Sequence, residues 1–435
     1  MLIPSRRLVI LTVVLCVSGL MVSLFNELAP LWIGLLVALA VIALADALRG
    51  WRLRTPHVER LVPGSLPLGV SHDVALRLDN HDPRPLRVEV IDHYPSEAQA
   101  THLPRLLTLP QGGWSELRYQ LRPYQRGEVF FGKVQLRISS PLGLWWMQRM
   151  SGSAQAVRIY PDFARLTGFA LMATDHRLSQ LGVLQRRRRG EGMDFHQLRE
   201  YREGDPQRQI DWKASARMRK LISREYQDER DQQIVLVLDC GRRMSARDDA
   251  LSHFDHVINS ALLLAYVGLR QGDAVGLLTM SGPQRWLAPH KSRAMVNTIL
   301  NSVYDLQPTM NASDYHVATL DLMKRIRKRS LVVVLSNLRD EDDDSLAPAL
   351  RLLQTRHLVL FASLRENILS RALASRVDTF ERAITHAAVA DYLQSRNRMF
   401  NRLEGLGAMC VDVEPEQLPI ALVNRYLEIK RSGLL

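Results

Sequence analysis

The chain of 435 residues has only three cysteines, Cys16, Cys240 and Cys410, too few and too scattered for a disulfide framework or a zinc site. That scarcity fits a reducing compartment. No G-x-x-x-x-G-K-S/T loop, H-E-x-x-H helix or G-x-S-x-G elbow occurs, so nucleotide hydrolysis, zinc proteolysis and lipase chemistry lack their usual apparatus. Charge is missing from two stretches, residues 8–25 and, after Asn26 and Glu27, residues 28–45. Each is about 18 residues long, near the lower end of what spans a bilayer as a helix. Two such runs with a short polar break predict a transmembrane hairpin. No A-x-A cleavage site separates them, which argues against a removed signal peptide. Arg6 and Arg7 precede the first run and Arg49, Arg52 and Arg54 follow the second, while the turn carries only Glu27. The positive-inside rule then places both ends in the cytoplasm, at the inner (cytoplasmic) membrane.

The formal net charge of +12 raises nucleic acid as a partner. Much of the excess sits at the flanks of the apolar runs and in the Arg186, Arg187, Arg188, Arg189 run beside Glu191, which reads as a solvated or lipid-facing patch rather than a sequence reader. The expected architecture is multidomain. Residues 1–54 form the hairpin with its basic flanks. Residues 55–161 alternate apolar and polar with turns about every ten residues, as at 74–79 and 86–90, and predict a small antiparallel β-sandwich. Trp145 and Trp146 in that module are expected to pack. Residues 162–231 hold a helical connector and a densely charged segment. Residues 232–435 alternate strands, including 233–239, 274–280, 331–335, 358–362 and 409–413, with helices. They predict a doubly wound α/β sheet.

The charged segment contains Arg199, Glu200, Asp205, Arg208, Asp211, Lys213 and Arg217, interleaved with Phe195, Leu198, Tyr201, Ile210 and Trp212. Disordered linkers rarely carry such apolar anchors, so the segment is expected to lie against a folded surface, with Tyr201 and Trp212 as buried anchors facing either a partner or the neighbouring domain. Phe195, Leu198-Arg199-Glu200-Tyr201, Gly204-Asp205, Arg208, Ile210-Asp211-Trp212-Lys213, Ala216-Arg217 and Arg224-Glu225 together resemble the signature of the bacterial domain-of-unknown-function family numbered 58. That resemblance implies a membrane-anchored protein with a β-rich module and a protein partner, a MoxR-type AAA+ ATPase. The pair would act in assembly, activation or maintenance of protein complexes. The expected functional surface is Arg199, Glu200, Tyr201, Gly204, Asp205, Asp211, Trp212 and Arg217. An adaptor rather than an enzyme is expected, with no small-molecule substrate. The alternative is a hydrolase-type enzyme with its active site in the polar segment 195–226. The two separate on the carboxylates, paired with arginines in an adaptor and open to a pocket in an enzyme.

After the first strand of the α/β region comes Asp239-Cys240-Gly241-Arg242-Arg243, and after a later one Ser336-Asn337. This arrangement resembles a von Willebrand A-type domain, whose metal site takes an Asp-x-Ser-x-Ser run, a threonine and a later Asp. Here Asp239 keeps the first carboxylate, Gly241 and Arg243 replace the hydroxyls, Ser313 or Thr309 stands for the threonine, and Asn337 for the second carboxylate. No cofactor is expected. Mg²⁺ at Asp239 is the one candidate, opposed by the missing oxygens and the added positive charge. Two further readings stay open, Arg243 pairing with Asp239 in place of a metal, and Asp239 acting only as a helix cap. His253 and His256 are expected to be ordinary helix positions.

Overall fold

The computed structural model describes residues 1–22, 28–162, 194–202, 207–227, 232–248, 251–339 and 343–434. The expected helical connector, along with Gly204 and Asp205, lies outside the described residues. The chain divides into two compact units, Met1–Tyr160 and Pro161–Leu435.

The first unit opens with a three-residue strand, Leu2–Pro4, followed by helix α1 (Arg6–Val22) and helix α2 (Ala29–Trp51). Among the described residues α2 alone, with 23 residues and a hydropathy of 2.5, is long and apolar enough to cross a bilayer. The remainder of the unit is mainly antiparallel β-structure. A five-stranded sheet runs from Leu2–Pro4 through Trp145–Ser151, Val134–Ser139 and Leu86–Ile91 to Arg105–Leu109. A four-stranded sheet is centred on the paired strands His72–Asp79 and Trp114–Pro123. Alternation explains these strands: Val74, Leu76 and Leu78 are fully buried, as are Val88 and Val90, with the less buried Ala75, Arg77 and Glu89 between them. A buried cluster ties the two sheets together. Tyr119 Oη donates to Asp92 Oδ2 at 2.6 Å, and Arg60 reaches both carboxylate oxygens of Asp92 at 3.0 and 2.5 Å. Burial first, and then the Asp92 charge, pushes the Tyr119 phenol well above its ordinary range.

The base of the two helices is fixed to this β-module. Asp46, fully buried near the end of α2, accepts hydrogen bonds from Ser140 Oγ (2.5 Å), Leu142 N (2.9 Å) and Leu144 N (3.2 Å). Trp145 Nε1 donates to Ala43 O at 2.8 Å, so this tryptophan packs, as its place at a strand edge predicts. Arg149 donates to the carbonyls of Leu53 and Trp51. On the other side, Leu2–Pro4 pairs in register with Trp145–Met147. Leu8 of α1 packs with Ala43 of α2, and Trp32 Nε1 reaches Leu15 O at 3.0 Å.

The second unit is built on a six-stranded sheet in the order Trp286–His290, Ala274–Met280, Gln233–Asp239, Leu331–Ser336, Leu358–Leu364, Met409–Val413. All neighbours are parallel except the antiparallel edge strand Trp286–His290. Ile234, Leu236 and Leu238 face a core with helices His253–Arg270, Met295–Val303 and Leu418–Ser432. Val235 and Val237 face the opposite core, with Tyr315–Arg325, Asp343–Gln354 and Phe380–Gly405. Burial on both faces is why these strands are continuous Val/Leu runs. The first strand, Gln233–Asp239, lies centrally, and the order reverses between it and Leu331–Ser336. That reversal is the point where open α/β sheets place their ligands. Between strands Leu358–Leu364 and Met409–Val413 lie two helices, Asn367–Ala374 and Phe380–Gly405, the second capped by Thr379, which accepts from Arg382 N.

Candidate functional site

Two regions of the second unit carry the expected site residues. The charged signature folds as a small module of its own. Strand Asp194–Glu200 pairs antiparallel with Ile222–Gln227, and a seven-residue helix α3 (Trp212–Met218) lies between them. Asp211 makes the turn. Its Oδ1 accepts Ala214 N at 2.9 Å as the N-cap, and its Oδ2 takes Arg224 Nε at 2.9 Å. Those interactions, the amide first and Arg224 next, hold its carboxyl below the usual range. Ser215 Oγ donates to Asp211 O at 2.7 Å and accepts Ile222 N at 2.8 Å, locking helix to strand. Glu200 pairs with Lys220 Nζ at 2.8 Å, and the lysine holds its carboxyl low as well.

Of the two expected anchors, Tyr201 is half-buried within the chain, while Trp212 is 68% exposed and is not covered by the chain's own described residues. A two-stranded ribbon with one short helix has too little interior to enclose an indole. Met218 (60%), Leu221 (50%) and Leu198 (41%) are exposed on the same module, and Arg217 is exposed. Among the described residues, neither core of the six-stranded sheet includes a residue from 194–227. Of the named surface, Arg199, Glu200, Tyr201, Asp211, Trp212 and Arg217 therefore fall on one module.

At the carboxyl edge of the sheet, Asp239 is fully buried. Its Oδ1 accepts Gly241 N at 2.8 Å, and its Oδ2 accepts Ser313 Oγ and Ser336 Oγ, each at 2.6 Å. Tyr315 Oη completes the chain at 2.9 Å from Ser336 Oγ. The carboxylate is thus answered by hydroxyls and a main-chain amide, whereas the Arg243 guanidinium reaches Asn337 O at 3.5 Å. Pairing of Arg243 with Asp239 gives way to this arrangement because Gly241 leaves room for Ser313. A Cβ at position 241 would stand 2.9 Å from Ser313 Oγ and 3.0 Å from Asp239 Oδ1. Of the two threonine stand-ins, Ser313 comes to Asp239, while Thr309 Oγ1 donates to Ser281 O and Cys240 O. Asn337 turns away, with its Nδ2 on Glu366 Oε1 at 2.9 Å and its Oδ1 taking Arg396 Nη1 at 3.2 Å. Sequence reasoning missed Arg396 and Tyr315. Arg396 is one arginine among several on a helix whose charges show no pattern, and only its burial marks it.

These residues do not fit a Mg²⁺ ion. Both oxygens of Asp239 are already taken by donors, Gly241 brings no oxygen, and Asn337 points elsewhere. Millimolar Mg²⁺ is therefore expected to leave the thermal midpoint of the protein unchanged within about one degree, a shift under ~1 kcal/mol for a domain of this size. A clear Mg²⁺-dependent rise that Asp239→Asn abolishes is the contrary result. His253 and His256 lie buried on one helix, His253 on Asp248 at 3.0 Å, and burial lowers the pKa of His256. Both belong to the packing of that helix.

A Bacillus subtilis (strain 168) protein described as uncharacterized protein YeaD is 26% identical over 172 residues, covering 38% of this chain. The match spans 39% of that relative's length. Among solved structures, the cupredoxin domain of amoB from Nitrosocaldus yellowstonii has 16% identity and a TM-score of 0.16, covering 20% of this chain and 55% of that one. WR4, a C. elegans MSP family member, has 11% identity and a TM-score of 0.16, covering 24% and 96%. The family model described as protein of unknown function DUF58 matches residues 197–372, from the signature module through the carboxyl edge of the sheet, and bears out the family resemblance carried by the signature residues.

Proposed function

We propose that this protein is a membrane-anchored adaptor that presents its signature module to a protein partner. The observation that carries this reading is the exposure of Trp212 together with Met218, Leu221 and Leu198 on a module whose Glu200 and Asp211 carboxylates are already paired. A large exposed indole beside arginines has the composition of an interface centre. The hydrolase alternative calls for a carboxyl with a raised pKa facing a pocket. Asp211 and Glu200 are held low by amide, arginine and lysine partners, and Ser215 is spent on main-chain bonds. The partner proposed is a MoxR-type AAA+ ATPase, and the shared task is assembly, activation or maintenance of protein complexes.

The anchor in this reading is a hairpin of α1 and α2. Their outer faces expose Val13, Val14, Val17, Leu35, Val37 and Ile42 at about half of full exposure, a surface that water penalises and a bilayer does not. Leu2–Pro4 and the end of α2 are both fixed to the β-module, which supports placing both ends on one side of the membrane. The basic flanks make that side the cytoplasm. The proposed sheet architecture is von Willebrand A-like, with a binding edge that works without metal.

The test is a detergent pull-down of the full-length protein beside Trp212→Ala. Because Trp212 buries little, the variant is expected to melt within about 1 kcal/mol of the parent, as exposed substitutions do. It is also expected to lose at least about tenfold in capture of the ATPase, as hot-spot tryptophans do. Undiminished capture by the folded variant removes the module as the docking surface, and absence of any ATPase removes this partner.

A further inference from the structure

At the foot of the two helices the β-module carries a recess of about 240 Å³ lined by Arg7, Leu53, the segment Arg84 to Arg87, and the loop Ser139 to Gly143. Three arginines reach it from separate places: Arg7 from the first turn of α1, Arg84 from a turn, and Arg87 from the start of strand Leu86–Ile91. Among the described residues no carboxylate lines it. All three side chains are exposed, and none has a hydrogen-bond or ion-pair partner among the described residues. Three other arginines of the module are spent, Arg60 on Asp92, Arg137 on Glu89 and Arg149 on main-chain carbonyls. Positive charge is left uncompensated where the apolar helices meet the module.

Depth fixes what can occupy it. Trp51, 76% exposed at the end of α2, marks the level at which amphipathic aromatics sit in a bilayer interface. Arg6, Arg49 and Arg52 are exposed at the same level. The recess also has an apolar lip, since Leu142 at the tip of the loop is 50% exposed and Leu53 lines the wall. Arginines that fork onto phosphate oxygens beside an apolar lip match a phosphate that carries acyl chains. Basic recesses at the membrane face of helical anchors hold anionic headgroups in this way.

We propose that Arg7, Arg84 and Arg87 form a binding site for the phosphate headgroup of an anionic phospholipid, which seats the β-module on the membrane surface. The inference rests on the membrane-anchor reading above, so the experiment separates the two. Membranes holding the full-length protein are first washed with alkaline carbonate. The purified protein in neutral detergent is then titrated with cardiolipin, phosphatidylglycerol, phosphatidylcholine or inorganic phosphate, and its thermal midpoint is followed. The expected result is retention in the washed membranes and stabilisation by the two anionic lipids but not by phosphatidylcholine. Apparent affinity should fall roughly fivefold for each arginine removed in Arg84→Gln and Arg87→Gln. Arg105→Gln, outside the recess, should behave as the parent. Release by carbonate overturns the anchor and this site with it. Retention combined with equal stabilisation by phosphatidylcholine, or with full anionic preference in the Arg84→Gln/Arg87→Gln protein, overturns the site alone. Equal stabilisation by inorganic phosphate overturns the lipid assignment in favour of a free-phosphate site.

Discussion

Replacing Arg396 with alanine is expected to cost the α/β unit about 3–5 kcal/mol, the loss typical of breaking a buried ion pair from one side. Arg396 is 2% exposed and rises from helix Phe380–Gly405 to the carboxyl ends of three strands. Its Nη2 donates to Asp412 Oδ1 at 2.8 Å, Ser363 Oγ at 2.7 Å and Leu364 O at 2.6 Å. Nη1 donates to Asn337 Oδ1 and to Leu338 O. Removing the guanidinium leaves a carboxylate, an amide oxygen and two carbonyls without their donor in a largely buried place. Lysine keeps the charge but not the planar fork, so Arg396→Lys should recover only part of the loss. Arg396→Met combined with Asp412→Leu should recover more than either single change, because the uncompensated charge disappears with its partner. Urea unfolding of the four proteins measures this. A loss under about 1 kcal/mol in Arg396→Ala would mean that the clamp is geometrically present but energetically idle. Because Arg396 also holds Asn337, the same variant should loosen the edge that carries Asp239.

Much of this fold could be read from residue patterns. The runs at 234–238 and 331–335 have the continuous Val/Leu content of strands covered on both faces, and both are central strands. Alternation at 74–79 and 86–90 likewise marks real strands. Other features were hidden because they depend on partners distant in sequence. Leu2–Pro4 is too short to show a period, and it is a strand only because Trp145–Ser151 offers it an edge. Asp46 reads as a polar residue ending an apolar run, yet its role depends on a loop almost a hundred residues away. At the candidate site, the sequence named Gly241 and Ser313 beside Asp239, and both reach its carboxylate, whereas Asn337 turns away. Whether Arg243 or Ser313 approached it depended on the space left by Gly241, which spacing alone does not reveal. At Trp212 the residue pattern leaves open what covers the indole. Hydrophobicity argues for burial only where enough structure surrounds the residue to bury it, and a two-stranded ribbon does not supply that.

Asp46→Ala is expected to uncouple the helices from the β-module at a cost of about 3 kcal/mol, since three donors lose one charged acceptor. Two of those donors, the amides of Leu142 and Leu144, belong to a tight loop that has no other element to turn to, and Leu144 is itself buried. The interior of the β-module should survive, because the Arg60, Asp92 and Tyr119 cluster lies in other strands. The expected signature in detergent is therefore selective: faster proteolysis near residues 52–56 and in the 140–144 loop, with the β-core protected as in the parent. Asp46→Asn retains acceptor oxygen but not the charge, and should fall between the two. A parental proteolysis pattern in Asp46→Ala would show that the strand Leu2–Pro4 and the Arg149 bonds hold the base unaided. The distinction matters for the headgroup site. Arg7 belongs to α1, whereas Arg84 and Arg87 belong to the β-module, so the three arginines converge only while the base is rigid. Loss of anionic-lipid preference in Asp46→Ala, with all three arginines intact, would tie lipid recognition to the way the anchor is welded to the module.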